Sequence, residues 1–131
     1  MTNLTDYSEK VLLDWLMTNS TTPVRSTAWW VALHSSAPGE AGTLFELGAG
    51  IGYTRLPVTF GVAASPAGIT LNSSTVTFGP ATSAWIVTNV SITDTSATTA
   101  NVLWQGAASS KTVSTGDYYQ FSASNFSLTL A

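Results

Sequence analysis

Two periodicities divide the chain. Leu4, Val11, Leu12, Trp15 and Leu16 recur at helical spacing and form one apolar stripe, which predicts an amphipathic N-terminal helix. Asp6 is placed to cap it, with Glu9 three residues later in the capping-box position, and both acids suit the positive end of a helix. Asp6 and Lys10 make an i,i+4 pair on the outer face. The stripe stops at Met17, and residues 18–23, polar and closed by Pro23, read as a loop.

Beyond Arg25 the period is two. Trp29, Val31 and Leu33 share one face of a strand, with Trp30, Ala32 and His34 on the other. Further strands are predicted over 55–60, 68–71, 75–78, 84–93, 101–105, 118–123 and 126–130. Ile86, Val90 and Ile92 are assigned to one face of the fifth of these alternating segments, and Phe126, Leu128 and Leu130 to one face of the last. The strand positions are β-branched or aromatic, as a half-buried pleated surface requires. Turn residues separate them at 66–68, 72–74, 79–80 and 114–117. The pattern predicts a mainly β fold, an antiparallel β-sandwich or jelly roll of about seven or eight strands with one N-terminal helix. The helix would cover a sheet edge or dock on a neighbour. The organisation expected is a helix and linker over 1–24, then a β-sandwich domain over 25–131 with a long loop at 35–53.

That loop departs from the pattern. It is rich in Gly and Ala, yet it carries Leu44, Phe45 and Leu47, which a purely solvated loop has no use for. Long structureless connections are uncommon in compact domains and tend to be functional. Either the parent domain covers these side chains, making an Ω-loop, or a partner subunit does.

Composition narrows the function. The chain has 131 residues, of which 44% are hydrophobic and only 8% charged, against about 25% charged in ordinary soluble domains. Ser and Thr supply 38 residues, so the polar surface is made of hydroxyls, which offer little charge repulsion and cost little to desolvate when a neighbour packs on them. A net charge of −3 gives no basic footprint for nucleic acid. The aromatic content, five Trp, five Phe and four Tyr, argues against disorder. No apolar run is long enough for a membrane helix, and the N-terminus lacks the basic start and apolar stretch of a signal peptide. The absence of Cys removes disulfides, thiolate nucleophiles and thiolate metal sites together.

The candidate chemistries are weak. The glycines at 48, 50 and 52 look like part of a dinucleotide fingerprint, but a proline-interrupted strand follows where a helix is needed. His34 is the sole histidine; Ser35 and Ser36 are its neighbours, and adjacent strand residues point to opposite faces, so proton transfer between them is poorly arranged. Glu40 and Glu46 lie in a Gly-rich loop that cannot hold two carboxylates at the separation glycosidic cleavage demands. A salt bridge from Arg55 to one of them is an architectural expectation. Asp94 and Asp117 read as turn residues. Asn-x-Ser/Thr triplets at Asn3, Asn19, Asn72, Asn89 and Asn125 are explained by composition. No catalytic residue, cofactor or metal is expected. Adjacent ring pairs, Trp29 with Trp30 and Tyr118 with Tyr119, leave large rings facing outward, onto another part of the chain, a neighbour or a sugar.

Three stretches together resemble a family of small bacteriophage virion proteins, of the tail-fibre-like or minor structural kind. They are residues 30–43, with Trp30, His34, Pro38, Gly39, Glu40, Gly42 and Thr43; residues 52–61, with Tyr53, Arg55, Phe60 and Gly61; and residues 102–107 with Trp104 and Gly106, followed by Lys111, Gly116 and Asp117. The resemblance implies a β-sandwich that serves in a phage particle without catalysis. The leading expectation is a capsid decoration or cement protein of a tailed phage, found in the virion, assembled in the host cytoplasm, and contacting copies of itself as a trimer or dimer and the major capsid protein. A tail, baseplate or fibre-associated component is the alternative, and a carbohydrate-binding module is the alternative of another class. The long shaft of a complete fibre is missing. The expected contact residues are Leu12, Trp15 and Leu16 on the helix, Trp30 and His34 on the first strand, Leu44, Phe45 and Leu47 in the loop, and Arg55 and Tyr118.

Overall fold

A computed structural model describes residues 2–19, 25–64 and 68–129. The expected loop residues 20–23, most of the turn at 66–68, and Leu130 lie outside them. In chain order the elements are β1 (Thr2–Leu4), α1 (Asp6–Met17), β2 (Trp29–His34), β3 (Leu56–Val58), β4 (Ile69–Leu71), β5 (Val76–Phe78), β6 (Trp85–Thr93), β7 (Val102–Val113), β8 (Tyr119–Phe121) and β9 (Ser127–Thr129). All strand pairs are antiparallel. One layer is a five-stranded sheet in the order β1-β7-β6-β2-β3, and two ribbons, β4-β9 and β5-β8, make up the opposing layer of the sandwich.

Inward residues of both layers interdigitate to form the core. Val31 and Leu33 of β2, Val87, Val90 and Ile92 of β6, and Val113 of β7 meet Val76, Phe78, Tyr119, Phe126 and Leu128 from the ribbons. Aromatic rings fill much of the gap: Phe121 meets Phe126 edge-on with centroids 5.4 Å apart, and Tyr53 lies between Phe78 and Trp85 at 6.2 Å from each. Such geometries satisfy the ring quadrupoles in addition to burying area. The Trp85 indole N–H donates to the Ile51 carbonyl at 2.7 Å, which pays the polar cost of burying that ring.

β6 corrects the expected facing of Ile86. Trp85 and Val87 point into the core before a register irregularity between Val87 and Asn89, and Val90 and Ile92 point into it afterwards. Two steps along β6 there span four along β7, from Ala107 to Lys111. An unpaired residue inverts a period-two pattern, so Ile86 falls on the solvent side and is 54% exposed.

The N-terminus differs from expectation in two ways. Residues 2–4 form an edge strand on β7, pairing Asn3 with Gln105, so the segment preceding the helix is part of the main sheet. The helix cap is Thr5, one residue before Asp6: its hydroxyl accepts from the Ser8 N–H at 3.5 Å and donates to the Val102 carbonyl. Thr5 is fully buried, so the residue that starts the helix also ties it to β7. Lys10 pairs with Asp14 in place of the expected Asp6.

Candidate contact surface

The loop after β2 is pinned. The Ser35 N–H donates to the Phe45 carbonyl and the Leu47 N–H to the Leu33 carbonyl, both at 3.0 Å, so residues 35–45 leave and re-enter at one point as an Ω-loop does. Gly42 makes a close approach possible: at φ +72°, a Cβ there would sit 2.5 Å from Val102 Cγ1.

Under this loop lies a buried polar network. His34, 1% exposed, places Nδ1 2.8 Å from the Leu44 carbonyl and Nε2 2.8 Å from Ser91 Oγ. A carbonyl only accepts, so Nδ1 carries the proton and Nε2 accepts from the Ser91 hydroxyl. Burial lowers the His34 pKa; the Leu44 bond and the Glu46 charge oppose that shift without overcoming it, so the ring is neutral. A hydroxyl bonded to an imidazole is the pairing nucleophilic catalysis uses. Here Ser91 is also 1% exposed, and the second ring nitrogen is held by a carbonyl where catalysis would place a carboxylate, so the pair joins β2, β6 and the loop as a structural tie.

Beside it, Arg55 grips Glu46 in a two-pronged pair, Nε to Oε1 at 2.8 Å and Nη2 to Oε2 at 2.6 Å, and Nη1 reaches the carbonyls of Thr95 and Ala97. The Tyr53 hydroxyl donates to Glu46 Oε1 at 2.8 Å and accepts from the Leu33 N–H at 3.1 Å. Burial pushes the Glu46 carboxyl up, but the bonds from Arg55 and Tyr53 outweigh it and hold the group below its ordinary value. Burial raises the Tyr53 phenol well above its ordinary range, with the Glu46 charge adding to the shift. The Glu46 bond raises Arg55. Glu46 is thus the partner Arg55 takes, and Glu40 lies elsewhere, accepting the Asp6 N–H at its carbonyl.

The expected contact residues separate into three groups. His34, Arg55 and Leu47 serve the interior: His34 is buried, the Arg55 side chain is 9% exposed, and Leu47 packs half-buried against the core. Trp30 and Leu12 are half-buried. Trp15, Leu16, Leu44, Phe45 and Tyr118 stand outward at 52–59% exposure. Phe45 does so from a left-handed backbone, φ 57°, an uncommon setting for a bulky residue, which holds its ring away from the domain. Helix and loop meet where the Glu40 carbonyl accepts from Asp6, so they belong to one side of the molecule. Leu13 and Met17, absent from the expected set, are 60% and 78% exposed, and they extend the apolar surface that Trp15 and Leu16, the end of the expected stripe, also turn outward.

Two grooves open between the layers. One of about 380 Å³ is lined by Trp29, Trp104, Phe60, Leu128 and Arg25. The other, about 520 Å³, lies along the irregular stretch of β7 beside Lys111, Gln120 and Asn125. Among the described residues no group of three or more His, Asp or Glu is placed to hold a metal ion, and no helix is long and apolar enough to cross a membrane.

The described residues form an antiparallel β-sandwich in which His34, Glu46 and Arg55 are tied inward, while Trp15, Leu16, Leu44, Phe45 and Tyr118 stand outward. The chain belongs to the family described as podophage GP4 fiber I protein gp80, which matches residues 3–129. No curated protein matches the chain.

Proposed function

We propose that the protein is a non-enzymatic component of a podophage fibre assembly, working through packed contacts with neighbouring virion proteins. The family match along nearly the whole chain carries this reading. It favours the fibre or tail over the capsid decoration that the sequence alone put first. The outward Trp15, Leu16, Leu44 and Phe45 support it physically, because apolar and aromatic side chains concentrate in the contacts that hold subunits together. The weakly charged, hydroxyl-rich remainder of the surface costs little to bury.

Immunogold labelling of intact particles with antibody to this protein tests the assignment. Label at the tail or its fibres is the expected result. Regular label over the head would overturn it in favour of capsid decoration. Contact elements are best probed by point substitution, because removing residues 1–17 would also strip β1 from β7 and leave the partners of Thr5 unpaired.

A further inference from the structure

We infer that the groove between β7 and the β8–β9 side of the sandwich binds a sugar carrying one negative charge, of the uronic acid class. Its volume of about 520 Å³ falls within the range of small-ligand sites. It opens at the pairing irregularity of β7, where Val87 pairs with Lys111 and Asn89 with Ala107, so that residues 108–110 face a single residue of β6. β1 pairs with β7 only over 104–106, and among the described residues no strand lies on the other side of the irregular stretch. Ala108, Ser109, Ser110 and Lys111 line the groove from this wall, Gln120 and Asn125 from the other. Bulged strands commonly re-aim side chains beside a site in this way.

Charge and hydrogen-bonding capacity define the ligand. Lys111 is the one charged residue in the lining, and none of the seven acids joins it. Lys10 and Arg55 each hold a carboxylate, whereas Lys111 has no ion pair or hydrogen bond among the described residues. The side chains of Ser109, Ser110 and Asn125 are likewise unengaged. Gln120 donates its amide to Thr77 Oγ1 at 3.0 Å, which fixes the side chain and leaves its carbonyl oxygen to accept. Hydroxyls and amides that both donate and accept match the hydroxyls of a sugar, and a lone ammonium matches one carboxylate. The walls are already set: the Tyr119 hydroxyl donates to the Ser109 carbonyl at 3.3 Å, tying β8 to β7. Phe121, half-buried in the lining, meets Tyr119 and Phe126 edge-on at 5.1 and 5.4 Å, which gives the apolar face of a pyranose a fixed ring to pack on. A groove ordered beforehand loses little freedom on binding.

The second groove lacks this combination. Arg25 is its cation and Trp29, Trp104 and Phe60 are its rings, but its one hydroxyl side chain, Thr70, already donates to the Gly61 carbonyl. Rings and a cation without free hydroxyls or amides do not read the hydroxyls of a sugar. Sugar binding beside Lys111 is independent of where in the particle the chain sits, so its failure would leave the fibre assignment untouched.

The test is an NMR titration of the isotope-labelled full chain with methyl glucuronide. The sugar is expected to move the backbone amide signals of residues 108–111 and the side-chain amides of Gln120 and Asn125, with a Kd of about 1 mM, ordinary for a ligand of this size. Methyl glucoside, the same ring without the carboxylate, should bind about tenfold more weakly. Lys111→Met should weaken the glucuronide about tenfold, down to the level of the glucoside, and leave the rest of the spectrum in place because the side chain is exposed and unpaired. Asn125→Ala should weaken both sugars, and Lys10→Met neither. Absence of shifts at these signals at about ten times that Kd overturns the inference. So do shifts centred on Arg25, Trp29 and Trp104, equal affinity for the two sugars, or glucuronide binding that Lys111→Met leaves intact.

Discussion

Arg55→Ala removes the group that holds the Glu46 carboxylate where the loop rejoins the sheet. The variant breaks both prongs of the Glu46 pair, at 2.8 and 2.6 Å, and leaves Glu46 with the Tyr53 hydroxyl as its remaining side-chain partner. Removing one member of a fully buried pair costs about 3–5 kcal/mol, since the other charge stays behind without compensation. The Glu46 side chain is 23% exposed, so water recovers part of that, and the expected loss is about 2–3 kcal/mol. For a domain of this size that is a fall in Tm of about 8–12 °C. Tryptophan fluorescence in a urea titration reads the stability, and a double-mutant cycle with Glu46→Gln isolates the pair, with an expected coupling of about 1 kcal/mol or more. Hydrogen exchange at the Leu47 amide, bonded to the Leu33 carbonyl, should accelerate in both single variants because it closes the loop. A loss below about 0.5 kcal/mol with strictly additive singles would show that the pair behaves as a solvated surface contact, and the reading of the network as the loop's anchor would fall.

Other outcomes follow from the same structure. Stability should be level above pH 6.5 and fall below it, since unfolded His34 takes up a proton near the ordinary histidine value of 6.5 while the buried ring resists until lower pH; His34→Gln should abolish that limb in pH-dependent unfolding. Glu46, also lowered in the fold, adds a further loss as the pH drops through and below 4.5. Asn72, 1% exposed, donates to the Ser74 and Ser122 carbonyls and accepts from the Phe126 N–H, so Asn72→Asp should cost about 3 kcal/mol or more in urea unfolding by setting a carboxylate against two carbonyls; a cost near zero would contradict this. Gly52→Ala should destabilise by about 3 kcal/mol and Gly50→Ala by about 1, because both have positive φ but only Gly52 would drive a Cβ to 2.4 Å from the Pro80 carbonyl. Equal thermal shifts for the two would refute the close approach.

What sequence reveals here depends on how local the cause is. β2 and β6 were legible because alternation over several residues is a local signal, and Arg55 could be matched to a glutamate because charges in a chain this poor in them have few choices. β1 was not legible, since three residues carry no period and Leu4 also suits the helical stripe. The facing of Ile86 failed at an irregularity set by the partner strand, where Val87 pairs with Lys111 and Asn89 with Ala107, far along the sequence. The His34–Ser91 tie joins residues 57 apart and has no local trace. Leu13 and Met17 lie outside the stripe's spacing, so nothing local singled them out, although they are exposed beside Trp15 and Leu16. Asn72, read as one of five composition-driven triplets, proves to be a buried three-bond node between the ribbons, which leaves its amide no room for a sugar.

β1 and β9 touch, so the two ends of the described chain lie side by side at one edge of the sandwich. Sheet order is therefore nearly indifferent to where the polypeptide is cut. A short Gly/Ser bridge between the ends, with a new opening in the exposed turn between β6 and β7, should yield a circular permutant of the same architecture. The same proximity means that peptides fused to either end would emerge from one point, which suits the protein to displaying two sequences as a closely spaced pair.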